Sequence, residues 1–138
     1  MIAKKIVVLM FMLALGAIAA QAQGTLSKTT IQGPDLITDG VRELDLNNGK
    51  LEVAVHNVGQ KASVKSLMRI TVTPTDSAQT SRSRDVPVLQ PDEVVWVPVS
   101  FDKPLNLAKY CAVADALKQN TETSEKNNQK CGQFSGKP

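Results

Sequence analysis

Few residues in this 138-residue chain are of types that do chemistry. Two cysteines, Cys111 and Cys131, stand near the C-terminal end, and His56 and Trp96 are the sole histidine and tryptophan. An even pair of cysteines in an exported chain points to a disulfide, because the compartment is oxidising. The loop it closes spans about twenty residues, worth roughly 3 kcal/mol in chain-entropy terms. A redox or metal-binding pair is the alternative. A gap this long with no histidine nearby fits neither CxxC chemistry nor a zinc site.

Asp115, Glu122, Glu125, Asn127 and Asn128 form a carboxylate–amide group in the same region. Such side chains can supply the six to eight oxygens that calcium takes. They can equally satisfy the N–H groups of a turn between two strands. The spacing lacks the D-x-[DN]-x-[DN]-G regularity of a dedicated calcium loop, which favours the structural role and leaves no metal assigned. Arg82 and Arg84 alternate with Ser81 and Ser83. That strip reads either as an anion site or, better, as a solvated strand edge guarded by charge. His56 has no nucleophile near it in sequence, and any chain with this many serines and aspartates yields a triad on paper. With one histidine and no glycine-rich phosphate loop, no enzymatic activity and no cofactor are expected.

The N-terminus explains much of the composition. Lys4 and Lys5 precede an apolar run over 6–20, and Ala20-Gln21-Ala22 offers a small-residue cleavage site. This is the pattern of a secretory signal over 1–22. The run is short of the ~20 residues a membrane span needs, so no span is expected after cleavage. The whole chain is 42% hydrophobic with a net charge of +3, but residues 1–22 hold two of its sixteen positive charges and none of its thirteen negative ones. The remainder is nearly neutral. It lacks the basic footprint of a nucleic-acid binder.

Residues 23–33 are polar and aperiodic, a flexible leader. Beyond Pro34 the chain shows short apolar runs divided by turn residues. A first strand lies within 34–46, bent near Asp39-Gly40. Leu51, Val53 and Val55 alternate with Glu52, Ala54 and His56. Met68, Ile70 and Val72 alternate with Arg69, Thr71 and Thr73 until Pro74 stops the run. Residues 75–83 read as a polar connection and 86–89 as a short strand. Residues 94–101, rich in valine, make the strongest strand. Its parity puts Val95, Val97, Val99 and Phe101 on one face and Val94, Trp96 and Pro98 on the other. If the valines face the core, Trp96 points outward, where tryptophan suits a partner contact; a covering loop or leader, or reversed parity, is the competing reading. Residues 110–116 read as strand rather than helix, and a last strand follows Asn127. Seven or so short strands in roughly 100 residues describe an all-β, immunoglobulin-like antiparallel β-sandwich, one domain over 34–134 with a tail at 135–138.

Four segments, in order, carry a resemblance. Pro34-Asp35-Leu36-Ile37 resembles the opening of CARDB domains, the cell-adhesion-related domain found in bacteria. Val55-His56-Asn57-Val58-Gly59-Gln60-Lys61-Ala62-Ser63 resembles their V-x-N-x-G-x-x-A turn, and Leu89-Gln90-Pro91-Asp92-Glu93 their L-x-P-G-E turn. Ala112-Val113-Ala114-Asp115 with Glu122, Glu125, Asn127 and Asn128 resembles their closing A-x-x-D…E-x-x-E-x-N-N signature. Asp92 stands where the family usually has glycine, which points to a different turn type. The 115–122 connection lacks the usual D-P-D-N turn, and the cysteine pair is not a general family feature. The resemblance implies an immunoglobulin-like sandwich in a bacterial envelope or secreted protein, without catalysis. The expected function is that of an exported, periplasmic or secreted binding or adhesion-type module contacting an unidentified envelope or extracellular protein. An accessory subunit of an envelope assembly and a carbohydrate- or calcium-binding module are the alternatives.

Overall fold

The alternation of apolar and polar residues produces seven strands in the order the sequence dictates. They are β1 (Leu36–Asp45), β2 (Lys50–Asn57), β3 (Ser66–Thr73), β4 (Thr80–Val86), β5 (Val94–Ser100), β6 (Lys109–Val113) and β7 (Gln129–Gln133). The structure, a computed structural model, describes residues 33–122, 124 and 126–136. The expected signal segment, all of the expected leader but Gly33, Thr123, Glu125 and the last two residues lie outside the described residues.

Two antiparallel sheets form the sandwich, β1-β2-β5 and β4-β3-β6-β7. From one sheet Leu51, Val53, Val55, Val97 and Val99 point inward, and from the other Met68, Ile70, Val72 and Ala112. Leu36, Leu89, Leu105 and Phe134 close the core at its margins. Each fully buried aliphatic side chain contributes roughly 1.5–3 kcal/mol of transfer free energy, so the strand parity read from sequence is also the main source of stability. Among the described residues no helix is long and apolar enough to cross a membrane.

The bend expected near Asp39-Gly40 is a register shift between Thr38 and Gly40 in the β1–β2 pairing. After β1 the chain turns through a single 3-10 turn, Leu46–Asn48. Asp45 caps it, its carboxylate accepting from Asn48 N at 3.3 Å and from Asn48 Nδ2 at 2.7 Å. The Asn48 side chain thereby holds the Asp45 carboxyl below its ordinary 3.8. Gly49 closes the turn at φ +70°, where a Cβ would fall on the Phe101 carbonyl.

The structure departs from the sequence reading at the fourth strand, at the sixth strand and at Ala54. The fourth strand is Thr80–Val86, so much of the polar segment read as a connection is strand, and Pro87–Leu89 is loop. Polar residues suffice there because β4 is a sheet edge with a largely exposed outer face. The sixth strand stops at Val113, because Asp115 takes a left-handed φ of +48° and the chain turns through 114–117. Ala54 is buried although its parity points outward; the cause lies in Trp96.

Arg82 and Arg84 lie on β4, an edge strand, as the charged-edge reading expects. They pair with Ile70 and Met68, both core residues, so they sit on the inner side of the edge strand. The Arg82 guanidinium lies 5.3 Å from the Phe101 ring centroid and 3.4 Å from the Asp102 carboxylate. An arginine stem can cover apolar surface while its charge stays in water. Arg82 thus screens the open side of the sandwich instead of forming an anion strip.

Candidate functional site

The four motif segments meet at one end of the sandwich. Asn57, fully buried at the end of β2, is their centre. Its Oδ1 accepts from Asp35 N and Gly59 N, both at 3.1 Å. Its Nδ2 donates to the Lys61 carbonyl at 2.8 Å and the Leu89 carbonyl at 3.0 Å. Ser63 and Leu89 add a reciprocal pair, each backbone N–H finding the other residue at 2.9 Å. Gly59 is required by proximity, since a Cβ there would fall on the Gly33 carbonyl.

The closing signature joins the same end from the other sheet. Glu122 Oε2 accepts from Leu36 N at 2.8 Å, and its Oε1 accepts from Asn128 Nδ2 at 3.3 Å. Asn127 Nδ2 donates to Asp35 Oδ2 at 3.1 Å. Thr38 Oγ1 is 2.8 Å from the Asn128 carbonyl. Asp115 does not join this group. Its two carboxylate oxygens accept from Gln119 N at 2.8 Å and Asn120 N at 2.9 Å, which makes it the buried clasp of its own turn. Of the five residues grouped from sequence, Glu122, Asn127 and Asn128 come together, Asp115 stands apart in the preceding turn, and Glu125 lies outside the described residues.

Asp92 answers the question raised by its missing glycine. Its φ is +66°, the left-handed conformation that glycine adopts readily, so the turn keeps that feature. Aspartate tolerates this region better than most residues. Its carboxylate also reaches His56 Nε2 at 2.9 Å, while Asp39 Oδ2 lies 3.8 Å from Nδ1. The two aspartates address opposite nitrogens and so cannot converge with the ring on one metal. Among the described residues no group of three or more His, Cys, Asp or Glu is placed to hold a metal ion.

The second candidate lies on the outer face of the three-stranded sheet. Trp96 and Val94 are each 41% exposed, and Pro98 is exposed beside them on edge strand β5. The indole also serves its own sheet. Gly40, Ala54 and Trp96 form one row across β1, β2 and β5. The ring reaches past Ala54 to Gly40, whose added Cβ would lie 3.8 Å from it, and so covers Ala54. The Arg42 guanidinium sits 4.2 Å from the ring centroid and pairs with Glu52 in the next row. The sequence reading missed Arg42 and Glu52 because the shift in β1 register conceals which of its residues share the face of Trp96.

The disulfide joins Cys111 and Cys131, directly opposed on β6 and β7 with Cα atoms 4.0 Å apart. It lies on the outer face of the four-stranded sheet, since the intervening parity carries Ala112 into the core.

No family profile and no curated protein matches the chain. Solved structures do. The CARDB domain of a Pyrococcus furiosus protein, crystallised in complex with di-metal ions, aligns with a TM-score of 0.57 at 21% identity, covering 81% of this chain and 96% of its own. A Methanosarcina acetivorans domain, named as part of a cell surface protein, aligns with a TM-score of 0.59 at 16% identity, covering 75% of this chain and 92% of its own. With seven strands in two antiparallel sheets and this likeness, the chain has a CARDB-like β-sandwich fold.

Proposed function

We propose that this protein is an exported, non-catalytic module that works by protein–protein contact through the outer face of β5. The observation that carries the reading is the apolar strip Val94, Trp96 and Pro98, exposed on an edge strand and framed by the Arg42–Glu52 ion pair. An aromatic anchor with an adjoining charged pair is the composition of a binding hot spot and its rim. At the motif end the Asn57 side chain is spent on loop backbone and offers no contact surface. The secretory pattern of 1–22 and the cell-surface relative support placement outside the cytoplasm.

The test is site-specific photo-crosslinking in cells that produce the protein. A probe at Val94 should yield a discrete adduct that a probe at Thr73, on the other sheet, does not. Trp96→Asp should abolish that adduct while the protein remains folded by circular dichroism, with a lowered melt because the ring also covers Ala54. Equal adducts from both positions, or none from Val94, would overturn the reading.

A further inference from the structure

Among the described residues, the buried carboxylate oxygen without a hydrogen-bond partner is Asp35 Oδ1. Asp35 is 5% exposed, and its other oxygen accepts from Asn127 Nδ2, which holds the carboxylate against the connection between β6 and β7. No basic side chain pairs with it among the described ion pairs. An isolated buried carboxylate is costly unless a proton or a cation accompanies it. Glu122 brings a second carboxylate to the adjoining backbone N–H, that of Leu36.

We propose that Asp35, Glu122 and Asn127 bind a calcium ion, with Asp35 Oδ1 as its buried ligand and water completing the shell. The donor set selects the class of ion. Two carboxylates and an amide are hard oxygen donors, and among the described residues no histidine or cysteine joins them in a metal-holding group, so soft and transition metals are disfavoured. Calcium accepts mixed carboxylate, carbonyl and water oxygens in irregular geometry, whereas magnesium demands a near-ideal octahedron. A site with so few charged ligands belongs at the weak end of calcium affinities, roughly 0.1–1 mM, as in extracellular modules. It shares Glu122 and Asn127 with the sequence grouping, gains Asp35 and leaves out Asp115, Glu125 and Asn128. The ion would tie the start of β1 to the connection between β6 and β7.

The test is calorimetric titration and thermal melting of the full chain with calcium chloride, magnesium chloride or chelator. At tenfold excess over a dissociation constant of 0.1–1 mM, calcium should raise the folded-to-unfolded ratio about elevenfold and the melting temperature by about 5 °C. Asp35→Asn should weaken calcium binding at least tenfold. Asn127→Ala, at an exposed position, should weaken it severalfold with the fold intact. Three results would overturn the proposal: no calcium-dependent shift, an equal shift with magnesium, or a full shift retained in Asp35→Asn. Should Asp35→Asn fail to fold, Asn127→Ala decides alone, and full retention of the shift there sinks the idea. An Asp35→Asn protein that melts higher than the parent, in a system where calcium does nothing, would likewise overturn the proposal.

Discussion

At the scale of single residues, the segments that resemble CARDB motifs hold loops. Asn57 makes four hydrogen bonds from a fully buried side chain, reaching the segments before β1, after β2 and before β5. Asn57→Ala leaves two backbone donors and two carbonyls without their partner, each deficit costing about 1–3 kcal/mol where water cannot enter. A loss of about 3–5 kcal/mol in urea unfolding is expected, and Asn57→Asp should lose a comparable amount because a carboxylate cannot donate to the Lys61 and Leu89 carbonyls. A loss under 1 kcal/mol in both would show that the loops are held by something else. Asp92 offers a finer comparison. At φ +66° glycine has no steric penalty, whereas an L-residue in the left-handed region pays roughly 1–2 kcal/mol. Asp92→Gly and Asp92→Ala both lose the His56 contact, so their difference isolates the backbone; the glycine variant should be more stable by about 1 kcal/mol.

At the scale of elements, the open edges are where composition matters most. Asn57 N donates to the Glu93 carbonyl and Phe101 N to the Gly49 carbonyl, so the odd-numbered residues along β5 aim their backbone groups at β2. By alternation Val94, Trp96, Pro98 and Ser100 present theirs to the open edge, and Pro98 removes a donor from its middle. A proline so placed guards against strand pairing between molecules. Pro98→Thr should restore a pairable edge and increase concentration-dependent self-association, measured by light scattering, with thermal stability nearly unchanged. Identical scattering for the two proteins would assign the guard elsewhere. The short turn after β1 makes a pH-dependent contribution. Its Asp45 carboxyl has a folded pKa below the ordinary 3.8, so the cap stabilises the fold above that value and its contribution is lost as pH falls through the lowered one. Removing the donor in Asn48→Ala should return the Asp45 titration, followed by NMR, towards 3.8.

At the scale of the whole molecule, strand number, sheet parity and the inward valines of β5 were legible because period-two alternation records which face meets the core. The polar β4 was not, since an edge strand needs little apolar content to pair. Asp35 and Asn57 were visible only as letters of a resemblance. Their partners lie 92 and 32 residues away in the cases of Asn127 and Leu89, and no local period encodes such distances. The disulfide shows the same division between covalent chain and packed core. It links neighbouring strands on the outer face of one sheet, while the core between the sheets owes nothing to it. With a sequence separation of 20, the chain-entropy argument assigns it roughly 3 kcal/mol, expressed through the unfolded state. A domain of this size is stable by about 5–15 kcal/mol. Reduction should therefore lower the urea midpoint while leaving the protein folded in water, because Phe134 beyond β7 remains buried and stacked on Tyr110 at 4.6 Å between ring centroids. The double variant Cys111→Ala/Cys131→Ala should behave like the reduced protein. Complete unfolding of either in the absence of urea would mean that β7 and Phe134 are held mainly by the covalent link, and that the sandwich cannot close without it.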